Sequence, residues 1–294
     1  MSGESVEQTP APDWRRELAE GPQPCFVIGS GRCGSTLLYR LLSRHPRVAM
    51  TNESGVVNFL HFVNELAAQP HSELREYALR RPTSIYGIIG ADYAPNFSDE
   101  LLACSGQMLL NLYRRQFPGK RWTWFGDKLT RPEAVVALRA LFPGLRTFLM
   151  VRDPRDVVCS MRTFGARESV QAGNPVFSAA ADDLQAYCRR WVMLYQRCQD
   201  WLPGMLALRY EDLVFGDEAA LARVMAHLGL DVHAAQRDVF GEVEARRCHA
   251  TTASVAESVG RWRRDLTADE VAVVEELCAP VMAAYGYERG GGAG

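Results

Sequence analysis

The chain has 294 residues, of which 47% are hydrophobic, and its formal net charge at pH 7 is −2. A chain of this size can bury a large core, so we expect one α/β domain with insertions rather than two domains. The nearly balanced charge gives no overall attraction to nucleic acid or to an anionic membrane, so any anion site must be local. The eight cysteines are scattered without a Cys-x-x-Cys pair, which is typical of buried thiols in a reducing compartment rather than of disulfides or a zinc site.

Both ends of the sequence are polar. Residues 1–22 are acidic and contain prolines, which predicts a flexible leader, and the glycine-rich residues 289–294 predict a flexible tail. A single domain would then cover residues 23–288. The leader lacks the apolar core of a secretory signal, and no run of about twenty apolar residues occurs, so we expect a cytoplasmic protein without a membrane span.

The first half of the domain begins with strand and helix patterns in alternation. Short apolar runs between prolines and glycines indicate buried strands, and leucines at helical spacing indicate a helix. In chain order the pattern predicts a strand at 25–28, a helix at 36–44, a strand at 48–51, and a mostly helical region from 56 to about 117 with breaks at Pro70, Pro82 and Pro95.

The second half continues the alternation. The pattern predicts an extended segment at 122–126, a helix at 132–141, a strand at 146–151, a helix starting at Asp153-Pro154, a helix at 178–201, a strand at 205–209, a helix at 218–228, and a last helix at 267–285 that opens with a capping box. Strands that alternate with helices favour an α/β fold, a parallel β-sheet covered by helices on both faces.

The stretch IGSGRCGST, residues 28–36, joins the first strand to the first helix. Its G-x-x-x-x-G spacing is that of a phosphate-binding loop, in which backbone N–H groups and a helix N-terminus face an anion. Glycines allow the backbone to approach the anion closely. Arg32 can supply a positive charge, and Ser35 and Thr36 can donate hydroxyl groups.

The lysine that follows the second glycine of a P-loop is absent, because Ser35 stands in its place. That lysine bridges terminal phosphates, and the hydroxyl residue after it holds magnesium. No convincing acidic partner for magnesium follows an apolar strand either. The loop therefore predicts a phosphate-like anion bound without a metal, and it argues against an ordinary ATP or GTP hydrolase.

A second candidate anion site follows the predicted strand at 146–151. Arg152 lies at the carboxyl end of this strand, where open parallel sheets place their ligands. Ser160 comes eight residues later on the next helix, so a guanidinium and a hydroxyl group could hold one phosphate from two directions. The alternative is that Arg152 and Asp153 only pair and cap the helix.

Four segments occur in an order that resembles the sulfotransferase family. They are IGSGRCGSTLLYRLLSRHPRV, GDKLTRPEAVVALRALFPGLRTFLMVRDPRDVVCSM, LRYEDLVFGDEAALARVMAHLGL and SVGRWRRDLT. The resemblance runs from about residue 24 to 287 and is weak between about 55 and 121. It implies a P-loop nucleoside-triphosphatase-like sulfotransferase fold, with residues 55–120 as a helical insertion that serves the acceptor site.

The resemblance also implies a co-substrate, 3′-phosphoadenosine 5′-phosphosulfate (PAPS), and no metal. The residues that would contact the 5′-phosphosulfate are Gly31, Arg32, Cys33, Gly34, Ser35 and Thr36. Those that would contact the 3′-phosphate are Arg152 and Ser160. A donor without a γ-phosphate or magnesium needs no P-loop lysine. Relative to the common P-R-S-G-T-T form of the loop, the departures are Gly31, Cys33 and Ser35.

Three further residues enter through the same resemblance. Tyr210, in the segment RYEDL, would pack near the nucleotide or serve only the structure. Arg261 and Trp262, in the segment GRWRR, would fold over the donor and meet phosphate and adenine. The alternative for this pair is a basic loop with a packed tryptophan.

Sulfuryl transfer needs an acceptor hydroxyl in line with the leaving phosphate and positive charge beside that phosphate. Arg32 and Lys128 are the candidate stabilisers, and Lys128 resembles the family's lysine in a D-K-T-P-like segment. Glu53, which follows the second strand, resembles the base of tyrosylprotein sulfotransferases. His61 is the rival base, and a helix cap is the structural alternative for Glu53.

The sequence leaves three functions open. A sulfotransferase acting on a hydroxyl group of a glycan, natural product, lipid or tyrosine is favoured. A P-loop nucleotide kinase or phosphotransferase and a non-catalytic nucleotide-binding scaffold are the alternatives. Nucleic acid is not expected as a partner, because the arginines are dispersed and the charge balance is slightly acidic.

Overall fold

The computed structural model describes residues 14–56, 85–129, 135, 137–139, 141–171, 183–201, 204–215, 218–240 and 251–290. The strands of these residues form a five-stranded parallel sheet in the order β2-β3-β1-β4-β5. Their bounds are Gln23–Gly29 (β1), Val48–Asn52 (β2), Trp124–Leu129 (β3), Arg146–Val151 (β4) and Leu206–Arg209 (β5). The predicted α/β class with a parallel sheet is confirmed.

Helices follow or connect the strands. They are Trp14–Glu20 (α1), Ser35–Ser43 (α2), Ile85–Gln116 (α3), Pro154–Gln171 (α4), Leu184–Trp201 (α5), Tyr210–Phe215 (α6), Glu218–His227 (α7), Ala234–Arg237 (α8), Trp262–Asp265 (α9) and Ala268–Ala284 (α10). Single 3₁₀ turns lie at Ala137–Arg139, Asp238–Phe240 and Ala256–Ser258. The capping box predicted at Thr267 is present at the start of α10.

The sheet separates two apolar cores, and β1 contributes to both. Phe26 and Ile28 face a core that includes residues of α3, α5 and α10. Cys25 and Val27 face the opposite core, which is formed with α2 and α7. Side chains alternate between the two faces of a strand, so the unbroken apolar run of β1 is what burial on both sides requires.

The predicted leader differs from the structure at its C-terminal end. Residues 14–20 form α1, and Leu18 is 0% exposed in the core that also contains Leu109 of α3. The side-chain amide of Gln23 donates hydrogen bonds to the carbonyl groups of Leu18 (2.8 Å) and Ala19 (3.1 Å). The polar composition of residues 1–22 predicted a flexible leader, but the buried side chain of Leu18 packs α1 against the core. The folded part of the chain therefore begins before the predicted residue 23.

The helix break predicted at Pro95 is wrong, because α3 runs without interruption from Ile85 to Gln116. An interior proline removes one backbone hydrogen bond and costs about 3 kcal/mol. The later turns of α3 bury Leu109, Leu110 and Tyr113 in the core, and such packing outweighs local propensity. Within the described ranges, no helix combines the length and the apolar character that a membrane crossing needs.

Strand β3 begins and ends later than predicted, at Trp124 and Leu129 rather than at 122 and 126. The predicted extended segment ended at residue 126 and so left Asp127 and Lys128 outside the strand. The structure keeps them in the strand ladder, where Asp127 is opposite Thr51 and Lys128 is opposite Asn52. Most of the helix predicted at 132–141 and the start of that predicted at 178–201 lie outside the described residues.

The central position of β1 decides where the chain can bind a ligand. Strand β3 lies on one side of β1 and β4 on the other, and all three run parallel. Connections therefore leave the carboxyl ends of β1 and β4 in opposite directions. Open α/β sheets bind ligands in the crevice at such a switch point.

Leu18→Ala tests whether α1 belongs to the folded domain. Removal of a fully buried leucine side chain is expected to lower the free energy of unfolding by about 2–4 kcal/mol. The measurement is chemical denaturation followed by circular dichroism. Arg16→Ala is the control on the same helix, since the Arg16 side chain is 71% exposed and its loss should change stability by no more than about 0.5 kcal/mol. Equal stability of both variants would contradict the packing of α1.

Candidate active site at the carboxyl ends of the strands

The loop between β1 and α2 has the backbone of an anion-binding turn. β1 ends at Gly29 and α2 begins at Ser35. Gly34 precedes the helix with a φ of 94°, and Arg32 has a φ of 66°. The N-terminus of α2, where the first N–H groups of a helix lack intrahelical acceptors, therefore follows the loop directly, and the binding of an anion by residues 31–36 stays a prediction.

Position 34 requires glycine for two reasons, its positive φ and the close approach of Tyr210. A Cβ at this position would lie 2.1 Å from Cδ2 of Tyr210, at the start of α6. The ring of Tyr210 thus packs directly against the loop backbone. Its hydroxyl group lies 2.9 Å from Oγ of Ser258, with which it forms a hydrogen bond. These contacts give Tyr210 a structural role beside the loop, and its packing near the nucleotide stays a prediction.

Cys33 points away from the crevice. Its side chain is completely buried, and burial raises the pKa of its thiol. A Cβ at Gly29 would lie 2.5 Å from the Cys33 sulfur, so the thiol fills the space beside β1. Cys33 can therefore offer a ligand only its backbone, and the loss of a serine hydroxyl at this position is explained by packing.

Three predicted residues meet at Lys128. Its Nζ lies 2.7 Å from Oε1 of Glu53 and donates a hydrogen bond of 3.3 Å to Oγ1 of Thr36. The Lys128 side chain is 10% exposed and that of Glu53 is 57% exposed. The ammonium group thus lies between the loop helix and a carboxylate at the crevice surface. We call Glu53, Lys128 and Thr36 the lysine cluster.

Asp127 holds this arrangement in place, and the sequence reasoning did not identify it. Its buried carboxylate accepts hydrogen bonds from N (3.0 Å) and Oγ (2.6 Å) of Ser54 and from the backbone N–H of Lys128 (2.8 Å). Ser54 follows Glu53 directly, so Asp127 ties the turn that carries Glu53 to β3. Asp127 and Ser54 are 73 residues apart in the chain, so no local pattern could reveal their contact.

The backbone is strained at two predicted site residues. Among the described residues, Arg32 and Glu53 are the non-glycine positions with a positive φ, 66° and 52° respectively. The left-handed region is unfavourable for residues with a Cβ, and such strain concentrates at functional sites. The two residues follow β1 and β2, which lie on either side of β3 in the sheet.

A second cluster lies on the other side of the loop, around Arg152 and Ser160. Nε of Arg32 donates to Oγ of Ser160 over 3.3 Å. Nη1 of Arg152 donates to the carbonyl oxygen of Arg32 over 3.1 Å. The guanidinium of Arg32 also lies 4.3 Å from the centre of the Phe164 ring, and that of Arg152 lies 4.5 Å from the Tyr210 ring. The structure therefore places Arg152 and Ser160, the two residues predicted for one anion site, on either side of Arg32, which was predicted for the other site.

Arg261 extends this cluster from the C-terminal side. Its guanidinium donates to Oγ1 of Thr251 (3.2 Å) and of Thr163 (3.1 Å) and pairs with Asp265. The hydroxyl groups of Thr251 and Ser160 lie 3.2 Å apart and form a hydrogen bond. Thr163 and Thr251 were missed, because their proximity depends on the fold. We call Arg32, Arg152, Ser160 and Arg261 the arginine cluster.

Arg152 carries a buried donor that suits an anion. Its Nη2 donates to the carbonyl oxygen of Ser258 over 2.5 Å. Its Nε is buried, and within the described part of the chain this atom has no hydrogen-bond partner. A buried N–H group without an acceptor costs free energy. A phosphate oxygen that accepted a hydrogen bond from this group would remove that cost.

Trp262 lies under the cluster rather than at its surface. Its ring is buried, with the guanidinium groups of Arg155 and Arg263 at 4.0 and 4.4 Å from the ring centre. These contacts give the tryptophan a packing role, and its contact with adenine stays a prediction. His61, the rival base, lies outside the described residues.

Comparison with known proteins gives a consistent result. The model of the sulfotransferase family matches residues 24–234. Carbohydrate sulfotransferase 7 of Mus musculus is 34% identical over 120 residues, which cover 37% of this chain and 25% of that protein. Protein-tyrosine sulfotransferase 2 of Gallus gallus is 24% identical over 277 residues, covering 90% of this chain and 69% of that protein. The chain thus spans a quarter of the first relative and about two thirds of the second.

Solved structures show the same fold at low identity. The sulfotransferase domain from the curacin biosynthetic pathway has a TM-score of 0.56 and 17% identity, covering 92% of this chain and 99% of that one. Mouse sulfotransferase SULT7A1, solved in complex with PAP, has a TM-score of 0.51 and 15% identity, covering 93% and 90%. These likenesses support the predicted sulfotransferase fold.

Gly34→Ala tests the contact between the loop and Tyr210. The left-handed φ alone should cost about 1–2 kcal/mol, and displacement of the Tyr210 ring about 1–3 kcal/mol more. Gly119→Ala is the matched control, since Gly119 has a φ of 76° with nothing within 4 Å of an added Cβ. Chemical denaturation of both variants measures the difference. Equal losses of stability would show that Tyr210 does not restrict the loop.

Proposed function

The chain belongs to the sulfotransferase family, and we propose that it transfers a sulfuryl group from PAPS to a hydroxyl group of its acceptor. The observation that carries the proposal is the position of two cationic side chains, Lys128 and Arg152, on opposite sides of the loop between β1 and α2. Lys128 lies on one side, 3.3 Å from Thr36. Arg152 lies on the other and contacts the Arg32 carbonyl. A ligand with two separate anionic groups fits this arrangement better than a nucleotide with one polyphosphate chain.

The residues present suit both anionic groups of the donor. The N–H groups of residues 32–36 and the Thr36 hydroxyl would hold the 5′-phosphosulfate at the N-terminus of α2. Arg152, Ser160 and Arg261 would hold the 3′-phosphate, with the Arg152 Nε as one donor. The donor supplies the sulfuryl group, and the protein supplies position and charge.

The lysine cluster provides the groups that the reaction needs. Glu53, which is partly exposed at the crevice, would accept the proton of the acceptor hydroxyl. Lys128 would stabilise negative charge on the leaving phosphate, because its ammonium group already contacts the loop helix at Thr36. Arg32 would add a second positive charge from within the loop. The ion pair between Lys128 and Glu53 orients the carboxylate.

The acceptor belongs to the class of hydroxyl compounds. Relatives that match this chain over most of its length include a protein-tyrosine sulfotransferase and the nodulation protein NoeE of Sinorhizobium fredii, which is 24% identical over 306 residues and covers 93% of this chain and 68% of that protein. A tyrosine, a glycan, a lipid and a small natural product are therefore the acceptors to test.

Binding of 3′,5′-diphosphoadenosine (PAP), the desulfated donor, tests the nucleotide assignment. We expect titration calorimetry to show binding of PAP in the presence of a metal chelator. Arg152→Ala should weaken it by about 10- to 100-fold, the effect of losing a charged hydrogen-bond donor. Arg146→Ala is the control, because Arg146 is exposed at the opposite end of the same strand. Binding of magnesium-ATP alone would instead favour a nucleotide kinase.

Glu53→Gln tests the general base. Turnover is expected to fall by about a hundredfold, since glutamine cannot accept the proton, while the affinity for PAP stays unchanged. The measurement is transfer of labelled sulfate to a panel containing a tyrosine peptide, an oligosaccharide, a phenol and a lipid alcohol. Glu276→Gln, an exposed carboxylate on α10, serves as the control. Near-normal turnover of Glu53→Gln with an accepted substrate would exclude this role.

A further inference from the structure

Asp156 is a buried acidic residue that the proposed reaction does not use. It lies in the first turn of α4, four residues after Arg152 and four before Ser160. It is 1% exposed. An unused carboxylate between two residues of an anion site is unexpected, because its charge repels the ligand.

Both oxygens of Asp156 bind the backbone on either side of Arg261. Oδ2 accepts a hydrogen bond of 2.6 Å from the N–H of Gly260, and Oδ1 accepts one of 3.0 Å from the N–H of Trp262. Gly260 has a φ of 71°, which lets the chain turn at this point. The carboxylate thus fixes the peptide units that flank Arg261.

The segment 258–262 delivers two groups to the arginine cluster. The carbonyl oxygen of Ser258 accepts the hydrogen bond from Arg152 Nη2. The guanidinium of Arg261 reaches Thr251, whose hydroxyl group bonds to that of Ser160. Asp156 is therefore linked to the cluster through the segment that it holds.

We propose that Asp156 is a positioning residue for the donor, which holds the 258–262 segment so that Arg261 can bind the 3′-phosphate. This inference rests on the proposed function. Asp156 itself does not touch the ligand. It acts through the two backbone hydrogen bonds and the guanidinium between them.

The chemistry of the carboxylate explains why aspartate occupies this position. Two N–H groups need two acceptors, and an asparagine side chain offers one acceptor and one donor. Burial raises the pKa of Asp156 to about 6. The Gly260 N–H, Arg152 and the Trp262 N–H lower this pKa, and the nearby charge of Asp153 raises it. The residue is therefore ionised at pH 8, where the binding experiments should be made.

Asp156→Asn separates two opposite effects. Removal of a negative charge beside an anion site would by itself strengthen binding of PAP. Loss of a backbone hydrogen bond would displace Arg261 and weaken it. The proposal predicts that the second effect dominates and that the affinity for PAP falls by about tenfold. The affinity for adenosine 5′-monophosphate, which has no 3′-phosphate, should stay the same.

A double-mutant cycle shows whether Asp156 acts through Arg261. Calorimetry gives the PAP affinity of the single variants Asp156→Asn and Arg261→Ala and of the double variant. We expect the double variant to bind PAP no more weakly than Arg261→Ala alone. Leu18→Ala, destabilised at a distant site, should bind PAP like the wild type and so controls for loss of stability.

The outcomes distinguish this inference from the proposed function. If the wild type binds PAP and Asp156→Asn binds it equally well or more tightly, the positioning role is wrong and the sulfotransferase proposal stands. Additive effects in the cycle would also overturn it. If Asp156→Asn does not fold, Arg261→Ala alone decides, since unchanged selectivity for PAP over the monophosphate would refute the role. A wild type that binds no PAP would refute the proposed function itself.

Discussion

The parallel hydrogen-bonded register of β2, β3 and β1 is the constraint on which the candidate site depends. Lys128 is paired in the ladder with Asn52 on one side and Val27 on the other. This register places the end of β2, which Glu53 follows, at the same edge of the sheet as the loop that leaves β1. A shift by one residue would turn Lys128 to the opposite face of the sheet and separate the lysine cluster.

The site residues are bonded to protein groups in the structure, so ligand binding is an exchange of partners. Lys128 pairs with Glu53, Arg261 pairs with Asp265, and Arg152 donates to the carbonyl oxygen of Ser258. A phosphate oxygen is a stronger acceptor than a neutral carbonyl, so the exchange is most favourable at Arg152. At Arg261 the Asp265 carboxylate would be replaced by another anion, and the gain is smaller. Arg152 should therefore contribute most of the affinity and Lys128 most of the effect on rate.

Sequence patterns predicted the parts that depend on neighbouring residues. The apolar runs of β1 and β4 indicated buried strands. Arg152 and Ser160 were predicted as one anion site from the end of β4 and from their spacing along the chain. The patterns failed where distant residues decide. Leu18 is buried by α3, and the helix continues through Pro95. Asp127, Thr163 and Thr251 act through partners that the fold alone brings close.

The strain at Glu53 shows how the fold supports an unfavourable backbone conformation at the candidate base. A glutamate in the left-handed region is disfavoured by roughly 1–2 kcal/mol, and the turn keeps this conformation because Asp127 fixes Ser54 by two hydrogen bonds while the Glu53 N–H donates to the Lys128 carbonyl. The carboxylate is thereby presented at the crevice without burial, where it keeps its access to an acceptor. Burial would have raised its affinity for a proton and blocked that access. The buried aspartate thus fixes the exposed glutamate in the position that the proposed base requires.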